Sequence, residues 1–133
     1  MIAVIDASVG VLASLEPESG PWTRSIREAS LVVAPSLFPA EVANAFWKYA
    51  RSGIITQDQA ETCLRSALAL VDEYQPIQEL AIESYRLAVL MKRPVYDLFY
   101  LVLARRTGSI LLTADKSLAD AARRAGVRIN HDS

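Results

Sequence analysis

Four acidic residues lie far apart in this chain, and each stands where an apolar run gives way to a turn or a helix start. Asp6 closes MIAVID, Glu41 opens the helical pattern of FPAEVANAFWKYA, Asp97 opens that of VYDLFYLVLARR, and Asp115 follows SILLTA. In a parallel α/β sheet such positions gather at the carboxyl ends of the strands, where these sheets bind ligands. Several carboxylates share one pocket at neutral pH only when positive charge sits among them. The chemistry indicated is therefore that of a divalent metal.

Each acid also has a purely local reading. Asp6 and Asp115 are placed to cap the helices that follow them, and Glu41 stands in a first turn, where the helix dipole favours a negative side chain whatever its role. Asp97 precedes LFYLVLA, which is apolar nearly all round and so belongs in the interior; an acid at the mouth of such a helix needs a partner or a cation. Ser8 can bond a metal-bound water or cap the first helix, Asn44 can contact ligand or bond Glu41 one turn back, and Thr113 can orient a water or simply favour its strand.

The elements that would position these residues follow from periodicity. MIAVID and LVVAP read as strands buried on both faces, the latter closed by Pro35, and SILLTAD as a later one. Segment 72–77 reads as a short strand and VRI as a short last one. Between them, helical patterns run to about Leu15, from Trp22 to Ala29, through FPAEVANAFWKYAR to a stop at Gly53, and from a Thr56 to Gln59 capping box through TQDQAETCLRSALALV. Further helices are expected over Gln78 to Leu90, Val95 to Arg106 and KSLADAARRAG, with KRP as a break. Alternating strands and helices predict a three-layer α/β/α sandwich around a parallel sheet of four to five strands.

At 133 residues, 52% hydrophobic and 22% charged, the chain has the size and composition of one globular domain, expected to span 1–133. No basic n-region precedes the first apolar run, and no run approaches the ~20 residues of a membrane span, so a cytoplasmic protein without membrane association is expected. The lone Cys63 forms no internal disulfide and reads as a small hydrophobe in a helix. A net charge of −1 gives no global attraction to polyanions, so RNA or DNA must be met by a local patch. Eight of the 14 Lys and Arg residues fall at position 92 or later; Arg105, Arg106, Lys116 and Arg123 are the candidates for nucleic-acid contact. His131 reads as solvated rather than catalytic, and no zinc spacing, P-loop or G-x-G-x-x-G occurs.

Taken together, VIDAS, PAEVANAF, YDLFYLVLA and LLTAD match in order and approximate spacing the PIN-domain family, and the chain resembles most its VapC-type toxin branch, over Ile2 to about Ile129. The resemblance implies a PIN-like α/β/α fold and a Mg²⁺ or Mn²⁺ site carried over to Asp6, Glu41, Asp97 and Asp115, with Ser8, Asn44 and Thr113 in support. It also implies endoribonuclease activity on an RNA substrate, homodimerisation and inhibition by a small cognate, VapB-like antitoxin. Some relatives carry a further acid just after the last Asp; this chain has Ser117 and Leu118 there, which leaves a second metal position open.

Two rivals belong to other classes. A catalytically silent PIN-fold module binding RNA or protein would not need four acids. A receiver-like signalling domain would need an acidic pair at the first strand's end, where DAS stands instead. Of the large apolar residues on the early helices, Trp22, Phe46, Trp47 and Tyr49, Phe46 is expected in the core, and its neighbour Trp47, on a different face, is available to an antitoxin or a second subunit.

Overall fold

In the computed structural model, which describes residues 1–130, four parallel strands form one sheet: β1 (Ile2–Ile5), β2 (Leu31–Pro35), β3 (Glu73–Gln75) and β4 (Ile110–Leu112). Their order is β3-β2-β1-β4. The register sets Val4 beside Val33 on one side and beside Leu111 on the other. The first strand is thus central, and Val4, Ile5, Val32 and Val33 are buried because helices cover both faces.

The helices are α1 (Ala7–Leu15), α2 (Pro21–Glu28), α3 (Phe38–Arg51), α4 (Gln57–Ala69), α5 (Ala81–Met91), α6 (Tyr96–Thr107) and α7 (Lys116–Arg124). α1, α3 and α4 pack on one another, whereas α6 lies against β1, β2 and β4. Every residue from Leu98 to Ala104 is buried, as the all-round apolar pattern of α6 requires. The Thr56–Gln59 capping box is formed in both directions. Gly10 is where α1 meets α3: a Cβ there would come within 2.6 Å of the Phe38 ring.

Two expectations are corrected. The helix expected over Gln78 to Leu90 is divided into a 3-10 turn, Ile77–Glu79, and α5, with buried Leu80 between them; the proline at position 76 holds an extended φ and ψ directly ahead of the turn. The expected last strand VRI is reduced to one bridge, Leu111 to Ile129, because Asn130 leaves the strand direction at φ 49°. Its side-chain amide then does what a further rung would do, accepting from Thr113 N and donating to Thr113 O, both at 2.8 Å. His131 lies outside the described residues.

Candidate active site

With strand order β3-β2-β1-β4, the chain runs outward from β1 through β2 to β3 and then returns to β1's other edge as β4. The crevice of such a sheet lies at that reversal, outside the carboxyl ends of β1 and β4. Asp6 follows β1 there and is 5% exposed. Its Oδ1 caps α1 by accepting from Val9 N at 3.0 Å and accepts from Ser8 Oγ at 2.6 Å. Its Oδ2 accepts from the hydroxyl of Thr113, the residue after β4. Thr113 Oγ1 accepts in turn from Asp115 N at 3.0 Å, and Ser8 Oγ accepts from Ala114 N at 3.0 Å. The ends of the two strands are therefore tied by side chains, and the α1 cap is Asp6 rather than Ser8.

Asp115 caps α7, its Oδ1 accepting from Ser117 N at 2.9 Å and Leu118 N at 3.3 Å. Glu41, in the first turn of α3, accepts at Oε1 from the buried Tyr100 hydroxyl of α6 at 2.6 Å. Asp97, in the first turn of α6, pairs with Arg93 at 3.2 Å, and Arg93 also donates to Ser117 O at 2.9 Å. That guanidinium joins the mouths of α6 and α7, while its buried Nε has no partner among the described residues. Asn44 is exposed one turn beyond Glu41, and the bond that Glu41 accepts comes from Tyr100 instead.

The electrostatics tie the acids to one another. Burial raises the Asp6 carboxyl above its ordinary range; the bonds from Ser8, Thr113 and Val9 oppose this, and the charge of Asp115 adds to it. Burial likewise raises Glu41, against the Tyr100 bond, with Asp97 and Asp6 pushing the same way as burial. Burial, then the Glu41 carboxylate, raises Tyr100 far above the usual phenol range, so it stays a donor. As the side chains stand, no three acid, imidazole or thiol groups among the described residues are set to hold one ion. Each carboxylate is turned to its own partner: a helix mouth, a phenol or a guanidinium.

The basic candidates divide. Lys116 and Arg123 line a cavity of about 500 Å³ beside Thr113 and Asp115. Arg105 and Arg106 stand at the far end of α6, roughly 12 Å further along it than Asp97, both paired at 3.1 Å with Glu83 of α5. Sequence reasoning passed over Arg93, Tyr100 and Asn130. Only Arg93 left a signal, as a cation in the KRP break four residues before Asp97.

A parallel sheet with carboxylates around its reversal point is the architecture of a PIN domain, and the PIN domain family model matches residues 3–124. The chain belongs to the PIN domain family. Among curated proteins it is similar to ribonuclease VapC3 of Pyrobaculum aerophilum, 32% identical over 90% of this chain and 94% of that one. It is also similar to ribonuclease VapC1 of Mycobacterium tuberculosis, 33% identical over 90% of this chain and 85% of that one. The fold matches the crystal structure of PAE2754 from Pyrobaculum aerophilum with a TM-score of 0.75 at 24% identity, covering 98% of this chain and 92% of that one. Family membership disposes of the receiver-like reading.

Proposed function

We propose that this protein is a metal-dependent endoribonuclease of the VapC type, the toxin of a type II toxin–antitoxin pair, acting in the cytoplasm. The observation that carries the reading is that four acids from separate segments feel one another's charge, Asp6 that of Asp115, and Glu41 that of Asp97 and Asp6. The relatives named ribonuclease VapC support it.

The donor set fits a hard cation. All four groups are carboxylates, and two of them have protonation raised by burial and by their neighbours' charge, a strain that a divalent cation relieves. Asp6, Glu41, Asp97 and Asp115 would hold Mg²⁺, or Mn²⁺ in its place, directly or through water. A bound Mg²⁺ supplies a water of lowered pKa and charge to stabilise the phosphate being cleaved.

The chain's own residues do the rest. Ser8 and Thr113 hold Asp6 from both sides, so its oxygens are fixed before ligand arrives. Tyr100 fixes Glu41, whose raised affinity for a proton suits it to take one from the attacking water at Oε2, the oxygen the phenol leaves free. Arg93 keeps Asp97 company until a cation competes for that carboxylate. Asn44, exposed on the Glu41 face of α3, is left to contact RNA.

Partner surfaces support the toxin reading. A groove of about 300 Å³ between α1 and α3, lined by Ala7, Ser8, Val11, Leu12, Ala45 and Tyr49, adjoins the site through Ser8. A basic amphipathic antitoxin segment has the matching chemistry, its apolar face for the groove and its cations for the acids. On α5, Ile82, Tyr85 and Val89 form an exposed apolar stripe at helical spacing, with Leu90 beside it; a second copy of the chain burying that stripe gives the homodimer.

The test is cleavage of single-stranded RNA with and without Mg²⁺. Asp6→Asn keeps the α1 cap, so it is expected to retain the fold by circular dichroism and to lose Mg²⁺-dependent cleavage by a factor of at least about 100. Undiminished cleavage by this variant refutes the site. A catalytically silent module, the reading favoured by the Arg93–Asp97 pair, predicts RNA binding with no cleavage by the wild type.

A further inference from the structure

The cavity beside Asp115 is lined chiefly by residues that the carboxylate chemistry does not use, and its lining is that of a binding site. Its volume of about 500 Å³ falls within the ~300–1,000 Å³ of ordinary ligand pockets. Trp22 of α2 forms one wall, and Thr113, Asp115 and Lys116 form the side next to the acids. The indole is half-buried and packed against the core, so its ring is fixed before anything binds.

We propose that this cavity is a base-binding subsite, in which one nucleobase of single-stranded RNA, next to the cleaved phosphate, stacks on Trp22 while Lys116 meets the adjoining phosphate. The proposal deepens the ribonuclease reading and rests on it for the identity of the ligand. Three features support an RNA base rather than another planar molecule. The cavity opens directly beside Asp115 and Thr113, which places its occupant one residue away from Asp6. Aromatic walls take unpaired bases of any sequence, because every base has a stacking face. Two amides at the mouth of α7, Ser117 N and Leu118 N, are already taken by Asp115, which leaves the exposed Lys116 as the cation next in the chain to meet a phosphate arriving there.

The wall is also rigid. Thr113 N and O are both bonded to the Asn130 amide, so no backbone polar group of Thr113 needs to reorganise when a base enters. An RNA duplex keeps its bases stacked away from such a cavity, so single strands are the class selected.

The chain has two tryptophans, so in Trp47→Phe protein, excited to the red of tyrosine absorption, Trp22 is the sole emitter. A 5′-phosphorylated RNA trinucleotide in EDTA is expected to quench it saturably, with no cleavage to confuse the reading. In steady-state cleavage of a single-stranded oligonucleotide, Trp22→Ala is expected to raise KM about tenfold with little change in kcat, Trp22→Phe to restore most of it, and Lys116→Ala to raise KM and flatten its salt dependence. Absence of quenching, or wild-type KM in both Trp22→Ala and Lys116→Ala, overturns the subsite while leaving the nuclease intact. Quenching by RNA in a wild type that cleaves nothing keeps the subsite and overturns the nuclease. Should Trp22→Ala fail to fold, the quenching and the exposed Lys116→Ala variant decide the matter.

Discussion

Glu41 carries a charge its surroundings resist. Its folded protonation lies above the ordinary carboxylate range, through burial first and then through Asp97 and Asp6. Between the unfolded and the folded midpoint the folded chain therefore binds more protons than the unfolded one, and stability falls as pH rises through that window. Below it, the penalty is absent. Glu41→Gln keeps an acceptor for the Tyr100 hydroxyl and removes the charge. It is expected to raise Tm by a few degrees in EDTA at pH 7.5, with the gain vanishing toward pH 4. A scanning-calorimetry series over pH checks this; a gain equal at both ends, or a loss at pH 7.5, refutes the electrostatic account. Adding Mg²⁺ to the wild type should raise Tm at pH 7.5 more than adding it to Glu41→Gln.

At the level of elements, the site depends on how α1 and α3 meet, because one begins beside Asp6 and the other carries Glu41. Gly10 permits that meeting: a methyl group would press on the Phe38 ring, itself fully buried. Gly10→Ala is expected to destabilise the fold by about 1–3 kcal/mol by overpacking, despite the better helix propensity of alanine. Urea unfolding measures it; an unchanged midpoint would show that the ring moves aside freely. Much of this layout was legible. Buried strands announced themselves by β-branched runs, the α4 capping box by its spacing, and α6 by an apolar surface with no polar face. The acids were legible as strand-end and helix-mouth residues, but their partners were not. Tyr100 looks like one more core aromatic in LFYLVLA, and nothing local says that its hydroxyl meets a carboxylate 59 positions earlier. The last strand misled for the opposite reason: VRI has strand composition, yet pairing ends after one bridge because Asn130 turns.

For the molecule as a whole, the apolar stripe runs the length of α5, from Ile82 beside the Glu83 that pairs with Arg105 and Arg106 to Val89 and Leu90 just ahead of Arg93. Val89 is 62% exposed, so a charge there disturbs no packing within the protomer. Val89→Glu is expected to turn a dimer into a monomer in light scattering at micromolar concentration, with the monomer's secondary structure unchanged. A persistent dimer mass moves the self-association surface elsewhere. No helix among the described residues is long and apolar enough to cross a membrane.

The bond between Thr113 and Asp6 spans 107 positions, and β1 gains its second neighbour only when β4 arrives. A ribosome-bound chain that has emerged as far as α5 has three strands and Asp6, but no Thr113, no Asp115 and, of the neighbouring cavity's walls, only Trp22. The proposed site is therefore assembled only after β4 and the start of α7 have emerged. On the proposed ribonuclease reading, that order keeps shorter nascent chains from carrying the complete acidic set, so RNA near the ribosome meets it only after β4 and Asp115 have emerged.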